Sequence, residues 1–339
     1  MSEVGPDQAV TVGPDQTDRA TTLNRSRFAL SPLAETVSVH LALHRGDVGT
    51  NDPAQFRRRR DEFRSWTAAD PTARGLFALC GATKFLPDLV ALPPTGMGTR
   101  IADELSRVAA WTDTATRATL QEAASHSWAA QDLSWTRQPE IAGQIARVLE
   151  QGWNQFVAPD WPRRQAILER DVMFRAGILA VCGWHDAIHS MTRKIRWHAD
   201  DAIEFSTQAH ADRTVGDAGL VFVPHTGTRS QWTCEAPPRF ALVYPASGTG
   251  IIDQQPHDAL ETLLGLGRAG VLLQLQRPGT SSQLAVTLGL SLGTISGHLA
   301  KLHNAGVITK ARTKHAVYYT LTPSGQRLIE ALQTAQPQA

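Results

Sequence analysis

The sequence predicts a mainly α-helical chain with small β elements, divided into a large N-terminal part and a smaller C-terminal one. Three observations carry this. Apolar residues recur at helical spacing from residue 28 to about residue 195, broken at Asp70-Pro71, Pro93-Pro94 and Ala158-Pro159. Runs of β-branched and aromatic residues occur only as short pieces bounded by turn residues. The stretch from Pro245 to Pro256 has the Gly, Ser and Pro content of a linker. With 339 residues, 42% hydrophobic and 19% charged, there is material for two domains and a sizeable core.

Residues 1–24 contain VGPDQ twice, from Val4 and from Val12, without apolar periodicity, and read as a disordered tail. Residues 25–250 read as a helical N-terminal domain for dimerisation or sensing. Its first helix starts at Ser31-Pro32, a capping hydroxyl followed by a proline at the first helical position, with Leu33, Ala34, Val37 and Leu41 at helical spacing up to Gly46. Between about residues 197 and 246 the texture changes. Residues 219–224 and 240–245 read as strands of a small sheet packed on the helices.

Residues 251–335 carry the most specific pattern. Leu260, Leu263, Leu264, Val271, Leu272 and Leu275 predict a helix pair, or one kinked helix, through Gly265 and Gly267. Thr280 caps a short helix bearing Leu284, Ala285 and Leu288, and Gly289 stands where a left-handed residue ends it. Ser291 caps a second helix with Ile295, Leu299 and Leu302 inward, stopped by Asn304-Ala-Gly306. Residues 307–312 and 315–321 alternate as a hairpin, and residues 324–332 form a closing helix. Two short helices across a glycine turn, then a hairpin, make a winged helix-turn-helix.

At about 100° per residue, the outer face of the second helix carries Gly293, Ser296, Gly297, Ala300 and Lys301, flanked by Thr294 and His298. The candidate DNA-binding residues are Ser291, Thr294, Ser296, Gly297, His298 and Lys301 on this helix, with Lys310, Arg312, Lys314 and His315 at the hairpin tip. The overall charge of +1 argues against a nucleic-acid binder only if it is evenly spread. From residue 257 on there are seven Lys or Arg against three Asp or Glu, a net +4 that leaves −3 elsewhere. No acid lies between Glu261 and Glu330. Motif order and localised charge together point to duplex DNA as partner. Winged helices also serve as protein-docking modules, and a charge run is often only a solvated face. Docking in a regulatory complex and small-molecule binding therefore stay as alternatives.

Residues 280–285 (TSSQLA), 288–306 (LGLSLGTISGHLAKLHNAG) and 318–325 (YYTLTPSG) resemble the winged helix of ArsR-type bacterial regulators. Leu30-Ser-Pro-Leu33, Leu86-Pro-Asp-Leu89 with Pro93-Pro94, Trp153 with Pro159-Asp-Trp161, Ile195-Arg-Trp197 and Leu242-Val-Tyr-Pro245 resemble the uncharacterised N-terminal domain that some of them carry. The resemblance implies a cytoplasmic, homodimeric transcription factor on a palindromic operator, more often a repressor, with an unknown small-molecule effector as a further partner. Two positions depart from the family pattern. Gly297 stands where Arg or Gln usually precedes the His-Leu pair, at about 0.5–1 kcal/mol relative to Ala in a helix, so backbone approach or DNA shape has more to contribute. The tip Thr313-Lys314-His315 lacks the expected glycine.

Many relatives sense metals or thiol oxidation through paired cysteines, and the three cysteines here have no CxxC or CxC spacing. The metal candidates are Cys182, His185 and His189, which with Asp186 fall on one face if the helix is unbroken, and His40 with His44. No metal is favoured, because i, i+4 spacing is common by chance and a small buried thiol with satisfied histidines explains the same residues. The eight tryptophans from Trp66 to Trp197 read as core filler before they read as a ligand enclosure. No HExxH, GxSxG, phosphate loop or GxGxxG is present, so neither an enzyme nor a cofactor is expected. No apolar run approaches a membrane span and no signal peptide opens the chain, which fits a cytoplasmic protein.

Overall fold

The computed structural model describes residues 8–11, 25–47, 53–191, 196–197, 202–206, 213–215, 218–227, 231–246, 258–313 and 316–334. The chain forms two compact units. One comprises residues 1–159 and 178–246, the other residues 160–177 and 247–339.

The N-terminal unit contains α1 (Pro32–Arg45), α2 (Pro53–Ala69), α3 (Pro71–Gly81), α4 (Ile101–Ala109), α5 (Asp113–Ser125) and α6 (Ile141–Phe156). Helix α1 begins as the sequence predicts: Ser31 accepts from the Ala34 N–H at 2.9 Å, and Gly46 ends it at φ +77°. It packs against α2, α3, α4 and α6 and is buried nearly all round, including Glu35, Thr36, Ser38 and His40. Internal bonds meet the polar groups thus removed from water. Glu104 of α4 accepts from Ser31 Oγ (2.6 Å) and the Leu33 N–H (2.7 Å), and Glu35 accepts from the Thr226 N–H (2.8 Å) and hydroxyl. Ser38 Oγ lies 2.7 Å from His225 Nδ1. The rings of Phe63, Trp66, Phe77 and Phe156 surround His40 at 4.7–5.9 Å between centroids, so here Trp66 packs as core.

Helix α7 (Trp161–His189) passes from one unit to the other; Asp160–Gly177 group with the C-terminal unit. The strands of the N-terminal unit are β1 (Gln8–Thr11), β2 (Arg27–Phe28), β3 (Arg196–Trp197), β4 (Ala202–Ser206), β5 (Arg213–Thr214), β6 (Leu220–His225), β7 (Trp232–Ala236) and β8 (Arg239–Pro245). The two strands read from the sequence, β6 and β8, pair in parallel, with β2 parallel on the far side of β6 and β7 antiparallel to β8. All six residues of β6 are buried, as strands of a parallel sheet covered on both faces are. A second sheet runs β3-β4-β1-β5. Its strand β1 falls within the segment read as a disordered tail and pairs with β4 and β5. The other residues of that segment, 1–7 and 12–24, lie outside the described residues.

The C-terminal unit adds α8 (Asp258–Leu264), α9 (Leu266–Gln274), β9 (Gly279–Thr280), α10 (Ser281–Leu288), α11 (Leu292–Asn304), β10 (Ile308–Arg312), β11 (Val317–Leu321) and α12 (Pro323–Thr334). The helix pair predicted through Gly265 forms, split there at φ +78°. Leu260, Val271, Leu272, Leu284, Ile295, Leu299, Leu302, Ile308 and Ile329 make one core. Leu263, read as an inward position, is exposed, because the break at Gly265 ends the apolar stripe after a single turn. Thr280 caps α10 in a reciprocal capping box with Gln283, and Gly289 ends it at φ +66°. The hairpin gains a third strand, β9, paired with β11.

The α7 segment of this unit docks through charge. Arg170 donates to Gln274 Oε1 (2.7 Å) and to the carbonyls of Gln274, Pro278 and Arg277, satisfying the end of α9. Buried Asp171 holds the fully buried Arg175 at 3.4 Å and Arg277 at 3.0 Å, and the Arg277 guanidinium lies 4.6 Å from the Phe174 ring centroid.

Candidate nucleic-acid interface

The C-terminal unit presents one helix and one hairpin to solvent with little internal use for their polar groups. Ser291 caps α11, accepting from the Thr294 N–H at 3.1 Å, and its hydroxyl lies 2.8 Å from that of Thr294. Ile295, Leu299 and Leu302 anchor the helix in the core, which leaves Ser291, Thr294, Ser296, Gly297 and Lys301 exposed. A Cβ built on Gly297 meets nothing within 4 Å, and one on Gly293 meets only the Ser291 hydroxyl, at 3.9 Å. The face is smooth and open.

His298 is placed differently from its neighbours. It is half-buried, and a Cβ on Gly267 of α9 would sit 2.6 Å from its Nε2, so only glycine leaves room for this rotamer. Burial, then the nearby Arg268 and Lys301 cations, hold its imidazole below the usual histidine range.

On the hairpin, Ile308 and Leu321 are paired at the base, then Lys310 with Tyr319 and Arg312 with Val317. Residues two apart on a strand share a face. The face that sends Ile308 into the core therefore carries Lys310 and Arg312 beyond its edge, where both are exposed. Thr313 closes the turn, its N–H donating to the Ala316 carbonyl at 2.8 Å. Lys314 and His315, the two tip residues also expected to meet DNA, lie outside the described residues. Among the described residues no ion pair engages Lys301, Lys310 or Arg312.

Residues 267–310, from α9 into β10, match the family model described as bacterial regulatory protein, arsR family. This segment is an ArsR-family helix-turn-helix. No curated protein matches the chain, and no solved structure does. The ArsR-family helix-turn-helix is a DNA-binding unit of transcription regulation, and it points to a regulatory protein rather than an enzyme. No helix among the described residues is long and apolar enough to cross a membrane.

Two features of the charge pattern differ in space from the sequence. Arg277 belongs to the buried Asp171 cluster and not to the exposed basic set. The stretch without acids between Glu261 and Glu330 also has an acid beside it, since Glu169 of α7 accepts from Gln283 Nε2 at 3.4 Å.

The metal candidates are not brought together. The stripe through Cys182, His185 and His189 requires an unbroken helix, and Gly183 adopts φ +82°, ψ −179° between the cysteine and the first histidine. The His185 and His189 rings stand 4.5 Å apart, and His185 Nδ1 lies 3.0 Å from Asp186 Oδ1. Cys182 is exposed rather than a small core residue. His40 is buried in its ring cluster while His44 lies at the surface against Gly81, so that pair shares no site either. Among the described residues no three His, Cys, Asp or Glu side chains are grouped to hold a metal.

Proposed function

We propose that the chain is a sequence-specific, DNA-binding repressor of transcription that acts as a homodimer on a palindromic operator. Helix α11 lies in the major groove, and the hairpin meets the phosphate backbone beside it. The observation that carries this reading is the exposed set of Lys301, Lys310 and Arg312 around an open helix face of small and hydroxylic residues. Leu263 and Leu266, 59% and 62% exposed on α8 and α9, supply an apolar surface for a second copy. The N-terminal unit serves dimerisation or the response to a small-molecule effector.

Fluorescence anisotropy with duplexes from upstream of the chain's own gene tests the proposal. Binding should weaken steeply with salt, and Lys301→Ala with Arg312→Ala should lower the slope of log K against log salt by about two, one per lost phosphate contact. Unchanged affinity and slope in that double variant would overturn the assignment. Absence of duplex binding together with a co-purifying protein would favour docking instead.

A further inference from the structure

On α11, from Ser291 to Lys301, no Arg, Gln or Asn stands ready to form a bidentate pair with a base edge. The hydroxyls of Ser291 and Thr294 are turned on each other at 2.8 Å, and Gly293 and Gly297 contribute no side chain. What does project from the first turn is Leu292, 52% exposed at the first helical position. A single exposed leucine is ordinary on a protein surface. The seat of this one is not, because the N-terminal residues of a recognition helix are those that address base edges. The core of the unit is complete without it, and the open glycine next to it lets a duplex approach closely.

An aliphatic side chain neither donates nor accepts a hydrogen bond, so it cannot distinguish purine edges. It distinguishes the one apolar group in the major groove, the 5-methyl of thymine. We propose that Leu292 is a specificity-determining residue that reads a thymine methyl group in each half-site. This rests on the DNA-binding reading above and deepens it. The site discriminates by apolar contact where related helices use hydrogen bonds, with the neighbouring small residues admitting the groove wall.

The test uses the full-length protein and a pool of random-sequence duplexes, selected for binding and sequenced. An enriched duplex is then remade with deoxyuridine at each thymine in turn, which removes only the methyl group. The expected result is one thymine per half-site whose replacement weakens binding about fourfold, the contribution of one buried methyl. Leu292→Ala should bind the parent and the deoxyuridine duplex equally, with its melting temperature unchanged because the side chain is exposed. A penalty that persists in Leu292→Ala, or no penalty at any thymine, would overturn the assignment of Leu292 and leave DNA binding standing. Salt-dependent binding without enrichment would do the same. Failure to bind any duplex would overturn both readings.

Discussion

Two helices of this chain carry almost the same words. Helix α1 contains Thr36-Val-Ser-Val-His-Leu-Ala42 and α11 contains Thr294-Ile-Ser-Gly-His-Leu-Ala300, each led by a capping serine. Val37 and Leu41 are anchored as Ile295 and Leu299 are, yet the polar residues have opposite fates. In α1, Thr36, Ser38 and His40 are buried; in α11, Thr294 and Ser296 are exposed and His298 is half-buried. The α1 hydroxyls are consumed internally, Thr36 Oγ1 donating to the Pro32 carbonyl at 2.7 Å and Ser38 meeting His225. Local sequence thus sets the apolar anchor of a helix. Whether the polar face becomes scaffold or interface depends on what else packs there.

The largest expected difference lies between the two histidines. His40 has no hydrogen bond of good geometry to either ring nitrogen, and its pKa is lowered from 6.5 to about 3, mainly by burial. The unfolded chain takes up this proton near pH 6.5 and the folded chain only near pH 3, so stability falls as pH drops through that window, by at most about 5 kcal/mol. Urea unfolding at a series of pH values should show His40→Phe resisting acid better than the parent, by about 3 kcal/mol at pH 4.5. His298→Phe, at a half-exposed site, should move stability by less than about 0.5 kcal/mol. Equal acid responses in His40→Phe and the parent would show that α1 does not hold its histidine neutral.

Next comes the carboxylate that caps α1. Burial pushes Glu104 up to about 7, against the hydrogen bonds from Ser31 and Leu33 that favour its charged form. The sign is opposite to that of His40. The folded chain keeps the proton up to about pH 7 and the unfolded chain only to about 4.5, so this contribution is present below pH 4.5 and lost as pH rises through 7, about 3 kcal/mol in all. Between pH 4.5 and 6.5 the two groups nearly cancel. Glu104→Gln removes one of them, and its stability relative to the parent should then change across that window. A flat difference between pH 4 and 8 would sink the account. In α11 the equivalent capping serine has only Thr294 for company and brings no such titration.

A smaller test compares the paired serines. Ser38→Ala removes one of two donors to His225 Nδ1, the other being the Gly227 N–H at 3.0 Å, and should cost about 1 kcal/mol. Ser296→Ala, at an exposed position, should fall within about 0.5 kcal/mol of the parent by thermal melting. If the exposed serine proved the costlier of the two, burial would not be what separates these helices.

The same contrast explains what could be read from residues alone. The C-terminal unit was legible because its signals are local and each has one meaning: Thr280 with Gln283, Gly289, Ser291, and the alternation around Val317–Leu321. The helices and two strands of the N-terminal unit were legible too. The parallel pairing of β6 with β8 was not, since β7 intervenes in sequence and nothing local names a parallel partner. Nor was the burial of Glu35, Ser38 and His40, whose partners Thr226, His225 and Phe156 lie more than a hundred residues away. Arg277 counted as part of a basic face for the same reason: its partner, Asp171, stands on a helix that reads as part of the other domain. The stripe through Cys182 failed on a local cause, a glycine whose left-handed backbone a periodicity count passes over.

The smallest expected effect bears on the one α11 residue that is neither scaffold nor fully exposed. His298 occupies space that Gly267 leaves vacant, and the Gly267 backbone lies outside the left-handed region, so alanine is allowed there. Gly267→Ala should cost α9 nothing and even favour it by a few tenths of a kcal/mol, as alanine is the better helix former. Its new methyl group must nevertheless displace the imidazole toward water. Burial is the largest cause of the depressed His298 pKa, so the titration followed by NMR should move up toward the ordinary histidine value while the melting temperature holds. If the pKa stayed depressed, Arg268 and Lys301 rather than burial would be setting it. A collapse in stability would mean that His298 is scaffold after all, and the contrast with His40 would narrow to one of degree.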